Sequence, residues 1–421
     1  VRILIVGAGI SGLTTALSLH AARVGAEIRV IDAVSELRPL GVGINLLPHA
    51  TRELTELGLG PELAAAAVPT AEMVVMDRLG NRIWSEPRGV AAGYAWPQYS
   101  VHRGELQALL LAAVRERLGS GSVQTASALA EVRQDGDRVL SRLADRDGRD
   151  LGTVESDIVV GADGLHSVVR AQLHPDEGPT RWSGITMWRG CAEHEPFLTG
   201  RSMMWAGSNT AAKFIAYPIS PRRGEDGRVL TNWVAEVRVG TAAGQAPDWN
   251  RAGSLADVAP HYEGWQLGGV DVCALMAASP RILEYPMVDR DPVPFWGRGR
   301  VTLVGDAAHP MYPIGSNGGS QAILDARHLA HQLAQHADDP VAGLAAYEEL
   351  RRPATAAIVR ANRAFPSDRV VNLVARRAPR GFAAIEDVLS EAELTEIGAA
   401  FRSTTGTDAR ELNARPSLSV R

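Results

Sequence analysis

Lysine is almost missing from this chain. Among its 421 residues there is one, Lys213, and every other member of the basic set is arginine. The 43 basic residues against 48 acidic ones give a net charge of −5, which supplies no electrostatic footprint for nucleic acid. The arginine bias reads as the coding habit of a GC-rich genome rather than as a function. Cysteine is scarce as well: Cys191 and Cys273 stand far apart without a CxxC, which excludes a disulfide framework or a redox dithiol and favours an intracellular setting. Long hydrophobic runs are lacking, because glycines and polar residues interrupt the apolar N-terminal stretch before it could span a bilayer. The sequence enters its first strand at once, so no signal peptide and a cytoplasmic protein with no membrane partner are expected. Internal repeats, low-complexity linkers and clusters of metal ligands are also absent. What remains, 45% hydrophobic and 22% charged residues, fits a globular chain long enough for two domains.

The chain opens on its most informative stretch. A short apolar run, residues 3–6, reads as a buried parallel strand and meets Gly7-Ala8-Gly9-Ile10-Ser11-Gly12. A helix pattern follows over 13–24, then a second apolar strand over 28–31 that ends in Asp32, 20 residues beyond Gly12. Strand, glycine turn, helix, strand and acid together make the βαβ fingerprint for a dinucleotide, NAD or FAD. Gly7 permits the tight turn, Gly9 lets backbone approach a pyrophosphate, and Gly12 lets helix and strand pack closely. The helix N-terminus offers free N–H groups and partial positive charge to the phosphates, and Asp32 can accept from a ribose hydroxyl.

Beyond Asp32, the glycines of Gly41-Val42-Gly43 suggest either backbone passing close to something flat or an ordinary turn. The patterns predict helices over 48–57 and 103–118, a hairpin over 72–86 turning at Leu79-Gly80-Asn81, and antiparallel strands within 122–155. A buried strand over 156–161 runs into Gly161-Ala162-Asp163-Gly164 and a helix carrying Arg170. From 182 to 286 the pattern is β-rich, with strands over 185–191, 203–207, 213–217 and 229–239 and a helical insert near 254–263. A last buried strand, 301–304, precedes Gly305-Asp306-Ala307-Ala308-His309, and a long helix covers 320–335. The chain is mostly helical from 341 onward, and its last dozen residues read as frayed.

All nine tryptophans fall between Trp84 and Trp296, outside the segments that hold the strand–glycine–helix units. Tryptophan suits sheets, and it also suits an aromatic-lined pocket; both readings stay open. The expected division is a discontinuous dinucleotide-binding domain of 1–71, 100–175 and 297–365, a β-rich substrate domain of 72–99 and 176–296, and a helical tail of 366–421. There is one GxGxxG and no second, which argues against reductases that hold two nucleotides on separate Rossmann folds. Instead, two further strands end in an acid, Asp163 and Asp306, able to cap a turn or to face a cofactor. The loop from Pro313 through Gly315, Ser316, Asn317, Gly318 and Gly319 opens a helix and can lay N–H groups beside a flavin ring where negative charge develops.

These motifs, from GAGISG through VHRGEL and GADGLHSVVR to GDAAHPMYPIGSNGG, resemble the single-component FAD-dependent aromatic hydroxylases of the p-hydroxybenzoate hydroxylase type. Around MWRG and GSNGGSQAILDA the resemblance is greatest to the phenazine-modifying hydroxylases. It implies an α/β fold: a glutathione-reductase-type FAD-binding Rossmann domain with an inserted β-rich substrate domain and a helical C-terminus. The cofactor it implies is FAD, held non-covalently, with NAD(P)H as a transient reductant. It places Gly7, Gly9, Ser11 and Gly12 at the pyrophosphate, Asp32 at the adenosine ribose, and Gly43 and Arg103 on the FAD. Asp163 would serve both FAD and NAD(P)H, Asp306 the ribityl chain, and Pro313, Gly315, Asn317, Gly318 and Gly319 the isoalloxazine. The family loop reads more like GxGxN than the GSNGG of this chain. His309 is expected to be a structural hydrogen-bonder and His166 a surface residue.

The implied reaction is hydroxylation of an electron-rich aromatic or heteroaromatic small molecule by NAD(P)H and O2 through a flavin C4a-hydroperoxide, in secondary metabolism. The flavin carries the chemistry, so no catalytic side chain and no metal is assigned. Pocket candidates are Trp188, Arg189, Trp205, Tyr217, Trp233 and Tyr312, and a monomer or homodimer is expected. The rivals are a flavin oxidase or Baeyer–Villiger-type enzyme, and a non-enzymatic binding protein on a flavoprotein-like fold. A halogenase is disfavoured, because the chain lacks a WxWxIP segment. The three motifs together lead to one expected outcome. The purified protein should be yellow, and heat or acid should release intact FAD; flavin that stays with the denatured chain, or FMN in its place, would contradict it.

Overall fold

The computed structural model describes residues 1–25, 27–39, 41–240, 251–404 and 408–420; Leu40 of the loop after Asp32, and Trp249 with the rest of 241–250, lie outside the described residues. Five strands pair in parallel in the order Val301–Leu303, Ile158–Gly161, Arg2–Val6, Glu27–Ile31 and Val123–Gln124. The first strand of the chain sits in the middle, with Ile5 opposite both Val160 and Val30. Ile3, Leu4, Ile5 and Val6 are all buried, as expected of a parallel strand covered on both faces.

The helix after this strand spans Ile10–Ala21, three residues earlier at its start than its apolar pattern suggests, because Gly9 serves as the cap and Leu13 N donates to Gly9 O at 3.0 Å. Glycine is required at two places here. A Cβ on Gly12 would stand 1.9 Å from Gly7 O, and Gly7 has φ +107° with Ala162 O 2.4 Å from its notional Cβ. The helices Pro48–Glu56 and Arg103–Leu118 form where the periodicity places them. The strands Ala128–Asp135, Arg138–Ala144 and Asp150–Ser156 make an antiparallel meander.

A seven-stranded sheet runs in the order Leu283–Asp289, Arg181–His194, Val229–Arg238, Ala212–Arg223, Ser202–Gly207, Glu72–Met76 and Arg82–Pro87. The early hairpin joins by a parallel pairing of Glu72–Met76 with Ser202–Gly207. Both faces of this sheet are covered. Trp188, Met204, Phe214 and Trp233 pack on one side against Val258, Tyr262 and Leu275. Met73, Trp205, Ile215, Tyr217 and Val234 pack on the other against Val370, Val371 and Val374 of the helix Asp368–Arg377. Trp296 belongs to neither face; it lies in the larger core beside His309 and Tyr347. Among the described residues no helix is long and apolar enough to cross a membrane.

The tail is docked, not frayed, across its described residues 408–420. The helix Ala409–Ala414 and the residues after it lie across Pro48–Glu56. Arg52 donates to Leu412 O at 2.9 Å and Arg415 O at 2.8 Å, and stands over the Trp96 ring at 4.7 Å. Glu53, fully buried, is paired with Arg327 at 3.0 Å and with Arg415. Ser417 donates to Glu56, and Ser419 Oγ accepts from Arg327 at 3.0 Å. A polar tail reads as solvated when partners such as Arg52 and Glu53, buried charges more than 350 residues upstream, cannot be seen in the local pattern. Burial pushes the Glu53 carboxyl up despite both guanidiniums. Arg415→Ala should therefore destabilise the protein by about 1.5–3 kcal/mol in urea unfolding at pH 7, the worth of a hydrogen bond to a charged group. An unchanged unfolding midpoint would show that the tail holds nothing.

Candidate active site

The glycine turn, the ends of the parallel strands and the start of one long helix enclose a cavity of about 550 Å³. Gly7, Gly9, Ser11, Asp32, Arg103, Asp163, Asp306, Gly318 and Gly319 all line it. A Cβ on Gly9 would meet nothing within 4 Å, so this backbone faces open space that a side chain would fill. Ser11 Oγ is buried without a hydrogen-bond partner among the described residues. An accessible peptide edge, an unsatisfied hydroxyl and a helix N-terminus together fit the pyrophosphate of FAD. Asp32 uses one oxygen to accept from Ala8 N at 2.8 Å and the other from Val34 N at 2.9 Å, which fixes the carboxylate while leaving lone pairs for a ribose hydroxyl.

Two buried charges hold the other motifs around this cavity. Asp163 accepts from Ser167 Oγ at 2.5 Å and Val168 N at 2.7 Å, so it caps the turn as well as lining the cavity; burial pushes its carboxyl up in spite of these bonds. Arg170 reaches from the helix Val168–Leu173 to Ala307 O at 3.0 Å and Ala308 O at 2.7 Å, and pairs with Glu177 at 2.7 Å. It thereby clamps the second acid motif to the third. Behind the third motif sits Asp325, fully buried. It accepts from Gly305 N at 3.0 Å and Arg351 Nε at 2.8 Å, and pairs with His309. His309 is thus a structural partner, and His166 is exposed, as read from sequence.

The helix after Pro313 starts at Asn317, not Ser320, because Ser316 takes a left-handed conformation (φ 58°) and caps it. Asn317, Gly318 and Gly319 are therefore its first turn, where backbone N–H groups have no helical partner. Gly318 and Gly319 face the large cavity, whereas Pro313, Ile314, Gly315 and Ser316 face a second, smaller one of about 90 Å³. One loop thus borders both cavities. The second cavity is walled by Leu47, Met73, Met203, Trp205 and Ile215, and carries Arg88, Gln98, Lys213, Glu236 and Ser367 at its polar side.

Several candidate residues lie elsewhere. Trp188 and Trp233 point to the opposite face of the seven-stranded sheet: Trp188 Nε1 donates to Glu284 at 3.2 Å, and Trp233 Nε1 to Ser279 at 2.7 Å. Strand alternation decides this, since residue type says nothing about which face a tryptophan takes. Tyr312 stacks on Phe365 with ring centroids 5.9 Å apart. Arg189 donates to Tyr285 Oη at 3.1 Å and Gly43 O at 2.6 Å, in a layer with Tyr217 whose phenol burial raises to about 12. Of the six pocket candidates, Trp205 lines the second of these two cavities and the other five line neither. Gly43 lines neither; its close neighbour is the sheet, with a notional Cβ 2.8 Å from Asn232 Cβ and its N donating to Asn232 Oδ1 at 2.7 Å. Asn317 is buried within the helix turn and lines neither cavity. Glu236, Lys213 and Arg88 were missed. The available signals were an acid inside an apolar strand (VLTNWVAEVR) and the singularity of the lysine.

A glycine-turn cradle with an acid just beyond three of the five parallel strands, Asp32, Asp163 and Asp306, defines a flavoprotein-type site. The chain belongs to the FAD binding domain family, whose model matches residues 1–235 and 288–362. It is 47% identical to the phenazine 1,6-dicarboxylic acid hydroxylase of Lysobacter antibioticus, over 95% of this chain and 96% of that one. It is 34% identical to a 3-amino-4-hydroxybenzoate 2-monooxygenase of Streptomyces platensis, over 86% and 87%. The fold matches Klebsiella pneumoniae HpxO complexed with FAD and uric acid, with a TM-score of 0.71 at 23% identity, covering 98% of this chain and 95% of that one. The protein is an FAD-dependent hydroxylase of this class, and the non-enzymatic reading is set aside.

Asp325 generates an expectation. Burial alone would raise its carboxyl, but His309 and Arg351 outweigh burial and hold it at about 2, below the ordinary 3.8. A depressed carboxyl contributes stability that is complete above its unfolded value and is lost as pH falls. Unfolding midpoints should accordingly drop between pH 3.8 and about 2. Asp325→Asn leaves a buried Arg351 without its counter-ion and should cost about 3–5 kcal/mol at pH 7. A variant as stable as the parent, with the same acid profile, would contradict this.

Proposed function

We propose that the protein uses NAD(P)H and O2 to hydroxylate an aromatic or heteroaromatic small molecule of secondary metabolism, working in the cytoplasm. The observation that carries this reading is the loop shared by the two cavities, one lined by the glycine turn and the strand-end acids and one walled by Met73, Met203, Trp205 and Ile215. FAD, when bound, supplies hydride acceptance and oxygen activation. Gly7, Gly9, Ser11 and Gly12 would hold its pyrophosphate and Asp32 its ribose. Arg103, Asp163 and Asp306 would line its length, and Pro313, Gly315, Gly318 and Gly319 would border its ring system. Asn317 supports that turn from within, and Gly43 supports the neighbouring loop against the sheet. The chain's own part is orientation and exclusion of water: Met73, Met203, Trp205 and Ile215 offer an apolar wall in which a ring can stand edge-on to the loop.

Two of the relatives are named for hydroxylating phenazine 1,6-dicarboxylic acid and 3-hydroxybenzoate, both aromatic acids. A screen of these compounds with 3-amino-4-hydroxybenzoate and 6-hydroxynicotinate should find one that stimulates NAD(P)H consumption and gains one oxygen by mass spectrometry. No second nucleotide-binding motif is present, so the nicotinamide has no permanent deep site of its own. Flavin reduction is accordingly expected to depend on substrate. In anaerobic stopped-flow experiments, reduction by NAD(P)H should be slow alone and much faster with the compound that is hydroxylated. Equal rates would remove the gating, and consumption without oxygenated product from any aromatic would remove the hydroxylase assignment.

A further inference from the structure

The polar side of the second cavity is a buried ionic cluster with one open position. Lys213 is 6% exposed and its ammonium is fully engaged: it donates to Asp368 Oδ1 at 2.8 Å and to Asn209 Oδ1 at 3.4 Å, and stands over the Trp205 ring at 4.3 Å. Arg88 is paired with Glu86. Both cations therefore already have carboxylate partners, and neither is an empty seat for a further anion. Glu236 differs. It is 5% exposed and lies opposite Lys213 in the sheet register; its Oε2 accepts from Asn209 Nδ2. The one hydrogen bond to this carboxylate among the described residues is the bond on Oε2, which leaves Oε1 open where the residue lines the cavity.

A buried carboxylate oxygen left open to a cavity is costly unless something donates to it. Asn209, with its amide oxygen on Lys213 and its amide nitrogen on Glu236, fixes the carboxylate plane. Burial pushes the Glu236 carboxyl up, against the pull of Lys213 and the Asn209 bond, while Asp368 adds to the rise and Arg189 opposes it. Resting on the hydroxylase reading above, we propose that Glu236 Oε1 is the specificity-determining acceptor of the substrate cavity. It selects aromatic rings that carry a hydrogen-bond donor, a hydroxyl, amino or ring N–H group, over the same rings with that donor methylated. Such donors are also the electron-releasing substituents that make a ring open to oxygenation. Glu236 thereby orients the activated part of the ring within the cavity bordered by Pro313 and Gly315.

The test is calorimetric titration of the FAD-loaded protein with two matched pairs, 2-hydroxyphenazine against 2-methoxyphenazine and 3-hydroxybenzoate against 3-methoxybenzoate. Wild-type protein should bind at least one hydroxy compound roughly ten- to a hundredfold more tightly than its methyl ether, the range for a hydrogen bond to a charged group. Glu236→Leu should collapse that ratio to near one. Glu236→Gln keeps the shape and a neutral acceptor and should give an intermediate ratio, so a folding failure of the leucine variant does not end the test. A ratio unchanged in folded Glu236→Gln, hydroxy and methoxy compounds binding the wild type equally, no binding of either hydroxy compound, or tighter binding of plain benzoate than of 3-hydroxybenzoate would each overturn the proposal. Failure to load FAD would instead count against the hydroxylase reading, since the ratios can be measured on the protein without it.

Discussion

A single buried carboxylate holds the arrangement together. Asp325 belongs to the helix Asn317–Gln335, yet it accepts from the backbone of Gly305, at the end of a parallel strand, and pairs with His309 and Arg351. The same helix that lends its first turn to the large cavity is thereby pinned to the strand end that carries Asp306. Burying a charge in this way is unfavourable unless its partners are complete, and here the Arg351 guanidinium, the His309 ring and one N–H group complete them. Arg170 performs the complementary task from the opposite side, gripping Ala307 O and Ala308 O. The loop between Pro313 and Asn317 has its course fixed by these anchors, and with it the wall shared by the two cavities.

The second constraint is that the seven-stranded sheet is covered on both faces. One face is closed by Val258, Tyr262, Leu275 and the tryptophans packed on them. The other meets the strand Gly43–Leu46 and the helix Asp368–Arg377, and it carries the buried charges of Lys213 and Glu236. Lys213, Glu236 and Asp368 are supplied by two strands and a helix distant in sequence; Lys213 donates to Asp368, and Asn209 links Lys213 to Glu236. Such a network is stable when complete and exacting about what joins it. That is the physical basis for discrimination in a cavity whose other walls are methionine, isoleucine and proline.

The large cavity was legible in the sequence because its features are local. A strand, a glycine turn, a helix start and a terminal acid occur within some thirty consecutive residues, and Gly7, Gly9, Ser11 and Asp32 line the cavity together. Asp163 and Asp306 were legible for the same reason, each following its own buried strand. The smaller cavity was not, because it is assembled from residues as distant as Met73, Lys213 and Ser367. Tryptophan content pointed to the right sheet but not to a face of it: Trp205 lines the cavity, whereas Trp188 and Trp233 turn away. For Gly43 the pattern left an approach to a flat ligand and an ordinary turn both open, and its neighbour in the structure is Asn232. The tail escaped notice because its partners, Arg52 and Glu53, look like surface residues of an amphipathic helix until Leu412 and Arg415 cover them.

The central claim is that one loop serves a cofactor on one side and a substrate on the other. The most direct measurement is a crystal structure of the protein loaded with FAD. The account predicts the pyrophosphate against Gly9 and Ser11, and the isoalloxazine along Pro313, Gly315, Gly318 and Gly319 with one edge open to the cavity that holds Glu236 and Trp205. A flavin ring lying away from that loop, or separated from Glu236 by the seven-stranded sheet, would contradict it.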